Sequence, residues 1–315
     1  MERRKLLGQI GGLCIGGVIA GQVASEPAAR TAAPKGGTPV EQGQQGQDTV
    51  MVWHDVRDWG VEGKGWQDTE DFYDRFPARA QKTVRTPVWN LSRDSAGMCV
   101  RFKTDATQIS AKWTLRNDRL AMPHMAATGV SGLDLYAQDD KNRYHWVGVG
   151  IPKTGPDVEA TLVTGLEPGS RVYTVYLPLY NGVKSLTIGV PMGAAFEPVA
   201  PRTARPLVFY GTSILQGACA SRTGMAHTAI LQRRLDYPVI NLGFSGNGQM
   251  EPEIADLLAE LDPVAYIIDC LPNMSTEMVR SRAEPLVRTV RRAHPQTPIV
   301  LVEDRTTGAA PFLKG

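Results

Sequence analysis

Ser213 stands in Gly211-Thr212-Ser213-Ile214, a glycine-led turn between an apolar run and a helical stretch. A serine on so tight a turn presents its hydroxyl to solvent and to a base, as nucleophilic catalysis requires. Its backbone N–H lies near a helix N-terminus, where positive partial charge collects. Gly246, within Asn241-Leu242-Gly243-Phe244-Ser245-Gly246-Asn247-Gly248, allows close backbone approach and offers a second N–H. Asn273, closing Asp269-Cys270-Leu271-Pro272-Asn273, offers a side-chain N–H. Three such donors would form an oxyanion hole for the charge that develops in acyl transfer, and losing one typically costs ~10²–10³ in rate. Each residue also has a plainer use: Ser213 as a helix N-cap, Gly246 in a turn, Asn273 as a cap or local bonding partner.

The elements around them explain how residues 60 positions apart could meet. Short apolar runs at 207–210, 238–242, 264–268 and 298–302 read as buried strands. Between them, 225–235, 251–261 and 276–294 have helical spacing, with Pro252 in a first turn and a break or kink expected at Pro285. Strand–helix alternation predicts a parallel sheet with helices on both faces, and active sites in such sheets lie at the carboxyl ends of strands. From 50 to 200 the rhythm is different: period-two runs such as 110–115, 171–177 and 184–190, separated by turns. Asn181-Gly182 reads as a hairpin turn. That pattern predicts an antiparallel β-sandwich of jelly-roll type.

The segments around Ser213, Gly246 and Asn273 resemble the first three sequence blocks of the SGNH (GDSL-like) hydrolases. The resemblance implies a flavodoxin-like α/β sheet, with Ser213 as nucleophile and Gly246 and Asn273 as oxyanion donors. Thr212 stands where many members have Asp. Gly132-Leu133-Asp134-Leu135-Tyr136 is similar to the G-x-D-L-Y motif of the β-sandwich that precedes one branch of these esterases. The family's fourth block, a D-x-x-H carrying the general base and its orienting acid, is absent from this sequence. The resemblance therefore implies a C-terminally truncated hydrolase domain over 205–315, with a poorly activated serine. Of the five histidines, His124, before the G-x-D-L-Y segment, and His227, after the elbow, are the candidates for a substitute base. Packing is the expected role of both, and His294 is expected to close a helix.

Composition narrows the partners. The chain has 315 residues, 42% hydrophobic and 21% charged, enough to bury a real core. Its net charge of +2 matches Arg3, Arg4 and Lys5 against Glu2, leaving a neutral body. That argues against nucleic acid and against a polybasic membrane anchor. Residues 1–25 have the order of a secretory signal peptide, twin-arginine-like at Arg3-Arg4, and 26–49 read as a flexible linker. The glycines interrupting the apolar stretch argue against a stable anchor, so export to the periplasm or exterior is expected. Cys14, Cys99, Cys219 and Cys270 form no C-x-x-C, and no H-E-x-x-H occurs. Buried thiols are expected beyond Cys14, with no metal and no cofactor. Asp134 is expected to tie down a turn, and Trp53, Trp59 and Trp66 to pack in the core rather than form a sugar platform.

Two functions compete. One is a secreted serine esterase acting on a small-molecule or carbohydrate ester, plausibly an acetyl group. The other is a non-catalytic carbohydrate-binding or structural protein with a degenerate hydrolase domain. A lipase is disfavoured because no exposed apolar lid segment is evident.

Overall fold

The computed structural model describes residues 49–304 and Phe312. The expected signal peptide, the linker except Thr49, and Cys14 lie outside the described residues.

Two antiparallel sheets come first. Their strands are β1 (Met51–Asp55), β2 (Cys99–Thr104), β3 (Gln108–Leu115), β4 (Leu133–Gln138), β5 (Tyr144–Gly150), β6 (Asp157–Thr164), β7 (Arg171–Tyr176), β8 (Val183–Pro191) and β9 (Phe196–Val199). One sheet runs β1-β8-β3-β6 and the other β5-β4-β7-β2-β9. Period two explains the core between them. Ile109, Ala111, Trp113 and Leu115 of β3 are buried with Val100, Phe102, Leu133, Leu135, Tyr173 and Val175 of the facing sheet. Each large side chain so buried contributes about 1.5–3 kcal/mol. Trp113, fully buried, donates from Nε1 to the Ser131 carbonyl at 3.0 Å.

The Asn181-Gly182 hairpin does not form. β7 and β8 belong to different sheets, and 177–182 carry the chain across the sandwich. Asn181 is wholly buried, and its Nδ2 donates to the Asn117 carbonyl and the Ser131 hydroxyl at 2.9 and 3.0 Å. A Cβ on Gly182 would sit 2.3 Å from the Arg93 carbonyl, so close packing requires this glycine.

A second layer is a parallel sheet ordered β11-β10-β12-β13, from β10 (Leu207–Gly211), β11 (Val239–Gly243), β12 (Ala265–Asp269) and β13 (Ile299–Leu301). Alternate residues face opposite sides. Val208, Tyr210, Ile240, Leu242, Tyr266 and Ile268 pack under two helices, Pro252–Ala259 and Thr276–Ala293. Leu207, Phe209, Val239 and Ala265 face the other way, where Leu231 and Leu235 of helix His227–Leu235 cover them. Residues 66–89 also enter the first of these cores, through Trp66, Phe76, Val88 and Trp89. A segment preceding most of the sandwich thus completes the α/β layer.

The helix through Pro285 is continuous from Thr276 to Ala293 and does not break. Proline removes one backbone donor, while Leu286 and Val290 beyond it are buried against the sheet.

Candidate active site

We label the helices α1 (Thr86–Ser92), α2 (Ala127–Val130), α3 (Ser213–Gln216), α4 (His227–Leu235), α5 (Pro252–Ala259) and α6 (Thr276–Ala293). The elbow follows from local sequence. β10 ends at Gly211, where a Cβ would meet the Asp269 carbonyl at 2.2 Å. Thr212 is extended and caps α3, its hydroxyl accepting the Ile214 N–H at 3.3 Å. The N-cap is therefore Thr212, and Ser213 is the first helical residue. Among the described residues the half-buried Ser213 side chain has no hydrogen-bond partner. Gly217, left-handed at φ 110°, ends the helix after one turn.

Register places the other two positions at the same edge. Gly211 stands opposite Gly243 on one side and Asp269 on the other. Beyond Gly243, the Phe244 N–H donates to the Gly211 carbonyl at 2.8 Å and the Ser245 N–H to Gln216 Oε1 at 2.9 Å. Gly246 is exposed at φ 70° with open space around it, so its backbone conformation, not crowding, asks for glycine. Gly248 is the crowded one: a Cβ there would lie 2.3 Å from the Gly211 carbonyl oxygen. Beyond Asp269, the turn Leu271–Asn273 brings Asn273 to this loop, and Oδ1 accepts the Gly248 N–H at 3.3 Å.

No histidine hydrogen-bonds Ser213 among the described residues. His227 is half-buried edge-on to Phe209, and burial lowers its pKa. His294 bonds the Ala259 carbonyl, His145 pairs with Asp139, and His54 stacks on Phe196. His124 is exposed in the turn whose ends, Met122 and Met125, exchange backbone hydrogen bonds.

Sequence reasoning missed the groups that hold this edge. Arg75, wholly buried, donates to the carbonyls of Leu91, Asp94, Asn241 and Gly243. Its guanidinium also lies 4.8 Å from the Phe244 ring centroid. Burial pushes its pKa down to about 10. Gln216 spans from Asp94 Oδ2, at 3.0 Å, to the Ser245 N–H. Burial pushes the Asp94 carboxyl up to about 7, against the opposing pull of Arg75. Tyr180 donates to the Ser213 carbonyl at 3.4 Å. Arg85 pairs with Glu251 and donates to Asn247 Oδ1 at 2.9 Å, next to Gly246.

The G-x-D-L-Y strand has a visible use. Asp134 is wholly buried and accepts from Trp146 Nε1 at 2.8 Å, Arg222 Nε at 3.2 Å and the Gly224 N–H at 3.0 Å. It thereby ties the sandwich to the loop between α3 and α4. Trp66 is core, donating to Glu260 at 2.7 Å, and Trp59 and Trp53 are half-buried, the latter beneath Lys112. The expectation of buried thiols fails at Cys219, which is exposed; Cys99 and Cys270 are buried.

A parallel sheet with a serine elbow at its carboxyl edge, joined to a β-sandwich, defines an α/β hydrolase with an N-terminal sandwich. Residues 51–196 match the GxDLY family, the N-terminus of SGNH hydrolase-type esterases, and residues 204–314 match the GDSL-like lipase/acylhydrolase family. A Bacteroides ovatus protein described as a GDSL-like lipase has 38% identity and a TM-score of 0.76, over 80% of this chain and 74% of that one. The chain belongs to the SGNH (GDSL-like) hydrolases, in the branch with the GxDLY domain. The fold is also similar to the salicylyl-acyltransferase SsfX3 of a tetracycline biosynthetic pathway, at 16% identity and TM-score 0.61, covering 81% of this chain and 72% of that one. A family two carbohydrate esterase from Cellvibrio japonicus has 13% identity and TM-score 0.50, with 82% and 81% covered. No curated protein matches the chain.

Proposed function

We propose that the protein is an exported serine esterase that removes a short acyl group, such as acetyl, from a carbohydrate. Ser213 Oγ attacks the ester carbonyl. The Ser213 and Gly246 N–H groups and Asn273 Nδ2 receive the developing oxyanion. The Ser213 hydroxyl proton passes to the departing alkoxide, which leaves as the alcohol; water then attacks the acyl-serine, releasing the acid and returning a proton to Ser213. The carrying observation is that Gly211, Gly243 and Asp269 stand in register, so the loops bearing Ser213, Gly246 and Asn273 leave the same edge of the sheet. The carbohydrate rests on the likeness to a carbohydrate esterase, the sandwich and the export signal. The assay is hydrolysis of p-nitrophenyl acetate and of acetylated xylo-oligosaccharides by the chain fused to a D-x-x-H segment from a relative of the family, with Ser213 intact and as Ser213→Ala. Equal rates on both esters would sink the serine.

The second reading is a non-catalytic carbohydrate-binding protein. It is favoured by one observation: no histidine bonds Ser213 among the described residues. Sugar binding undiminished in Ser213→Ala, with no ester turnover in either protein, is its expected signature.

A further inference from the structure

An open cavity of about 590 Å³ lies where α4 packs on β4 and β5. α4 leaves the carboxyl edge after the elbow and runs back to the start of β11, so its last turn lies toward the sheet edge opposite Ser213. That turn carries Arg233 and Arg234. With Arg143 and Arg222 they make four arginines around the cavity, and no carboxylate is among the lining residues.

The charges are not all used. Arg143 pairs with Asp139 at 2.7 Å and Arg222 with Asp134 at 3.2 Å. Arg233 and Arg234 form no ion pair among the described residues. Arg233 donates to the Gly224 carbonyl, and its guanidinium lies 3.9 Å from the Tyr136 ring centroid, while its buried Nη1 lacks an acceptor. Arg234 is exposed. Between these cations stands Trp146, 49% exposed. Its ring is fixed, because Nε1 is bound to Asp134 and Arg222 lies 4.7 Å from its centroid. A rigid, exposed indole suits the C–H face of a sugar, and guanidinium groups suit a carboxylate bidentately. The cavity is an open trough rather than a slot, which fits an extended hydrated chain better than an enclosed planar ring.

We propose that this trough is a second binding site, apart from the Ser213 edge, for acidic saccharides. A uronate carboxylate meets the exposed Arg234, Arg233 adds its charge from between the Tyr136 and Tyr176 rings, and the sugar ring lies on Trp146. The inference does not need Ser213 to be a nucleophile.

The test is calorimetry on the Ser213→Ala variant, titrated separately with trigalacturonate, xylotriose and inorganic phosphate. Trigalacturonate should bind, and raising the salt from 50 to 500 mM should weaken it, because salt screens the attraction between solvent-exposed charges. Arg234→Glu should weaken it at least about tenfold, consistent with reversal of a charge-assisted contact. Trp146→Ala should weaken it similarly; should that variant misfold, Arg234→Glu, at an exposed position, carries the test. In the wild-type background, Arg234→Glu should leave p-nitrophenyl acetate hydrolysis unchanged. Absence of trigalacturonate binding overturns the proposal. So does xylotriose binding as tightly, which would remove the role of charge. Phosphate competing equally, with Trp146→Ala inert, would reveal an anion site without sugar recognition and also overturn it.

Discussion

The Gly248 N–H donates to Asn273 Oδ1 at 3.3 Å, directly over the turn that carries Ser213. One bond thereby links the loops after β11 and β12. Asn273→Ala removes both the bond and the donor. The expected loss is ~10²–10³ in kcat with KM little changed, since an oxyanion donor acts on the transition state. Asn273→Asp should be as slow, because a carboxylate accepts but cannot donate. Steady-state kinetics on p-nitrophenyl acetate, in the chain fused to a family D-x-x-H segment and at enzyme concentrations high enough to measure slow turnover, decide it. A kcat unchanged in Asn273→Ala removes Asn273 from the hole.

Gly246 and Gly248 should respond differently to alanine. At Gly246 there is open space, and the cost is the left-handed backbone alone, about 1 kcal/mol. At Gly248 the new methyl would press on backbone, the Gly211 carbonyl and the Thr212 N–H. Backbone cannot step aside as a side-chain tip can, so the elbow itself must move. Gly248→Ala should therefore lower both stability and activity, and Gly246→Ala should lower stability only slightly. Urea unfolding of the pair checks this; equal midpoints would contradict it.

Asp134 should matter for the joint between the layers. It is buried with three donors on it, and Asp134→Ala strands Trp146 Nε1 and the Gly224 N–H while unpairing Arg222. Loss of a buried charged partner of this kind costs about 2–4 kcal/mol. Differential scanning calorimetry should show a lower Tm. Asp134→Asn, which keeps an acceptor but loses the charge, should fall between. A Tm for Asp134→Ala within a degree of wild type would refute the tie.

The parts of this architecture legible in the sequence were those written locally. Fully apolar runs separated by helical spacing marked the parallel sheet, and period two marked the sandwich. Ser213, Gly246 and Asn273 were legible because each falls a few residues beyond a strand, at one edge by topology. Arg75 and Asp94 were not. Arg75 meets Asn241 across 166 positions, and nothing in Asp74-Arg75-Phe76 signals a buried cation bound to four carbonyls. Asn181-Gly182 misled for the converse reason: a strong local turn signal cannot say whether the next strand joins the same sheet. Its buried Asn181 side chain, bonded to Asn117 and Ser131, is visible only in three dimensions.

Asp94 should give the protein a particular pH dependence. Burial raises its carboxyl from its ordinary value to about 7, against the opposing pull of Arg75 and of the Gln216 hydrogen bond. The folded state therefore holds this proton more tightly than the unfolded chain. The contribution is fully present below the ordinary carboxylate pKa of about 4 and is lost as pH rises through about 7. Asp94→Asn cannot ionise but can still accept from Gln216. Relative to wild type, it should gain stability as pH rises from 4 to 8, and urea denaturation at intervals across that range measures the difference. Curves that stay parallel would mean Asp94 is ionised in the fold throughout, stabilised by Arg75 more strongly than burial opposes it.

The partner of the proposed nucleophile gives the sharpest prediction. A serine hydroxyl without a base is protonated at neutral pH, and general-base assistance typically contributes ~10²–10⁴-fold. Among the described residues no histidine bonds Ser213, and the sequence holds no D-x-x-H. The 315-residue chain should therefore hydrolyse p-nitrophenyl acetate little faster than its Ser213→Ala variant. Supplying a C-terminal segment with a D-x-x-H, fused from a relative of the family, should raise the rate in wild type and leave Ser213→Ala slow. A fast, Ser213-dependent rate from the 315-residue chain alone would show that another group takes the proton. His124 is the first to substitute, being exposed at the turn whose Met122 packs against the same cluster as Tyr180, which is bonded to the Ser213 carbonyl. His124→Ala abolishing that rate would assign it the base. His124→Ala leaving the rate intact would move attention to His227, whose burial-lowered pKa keeps it neutral and able to accept a proton at pH 7.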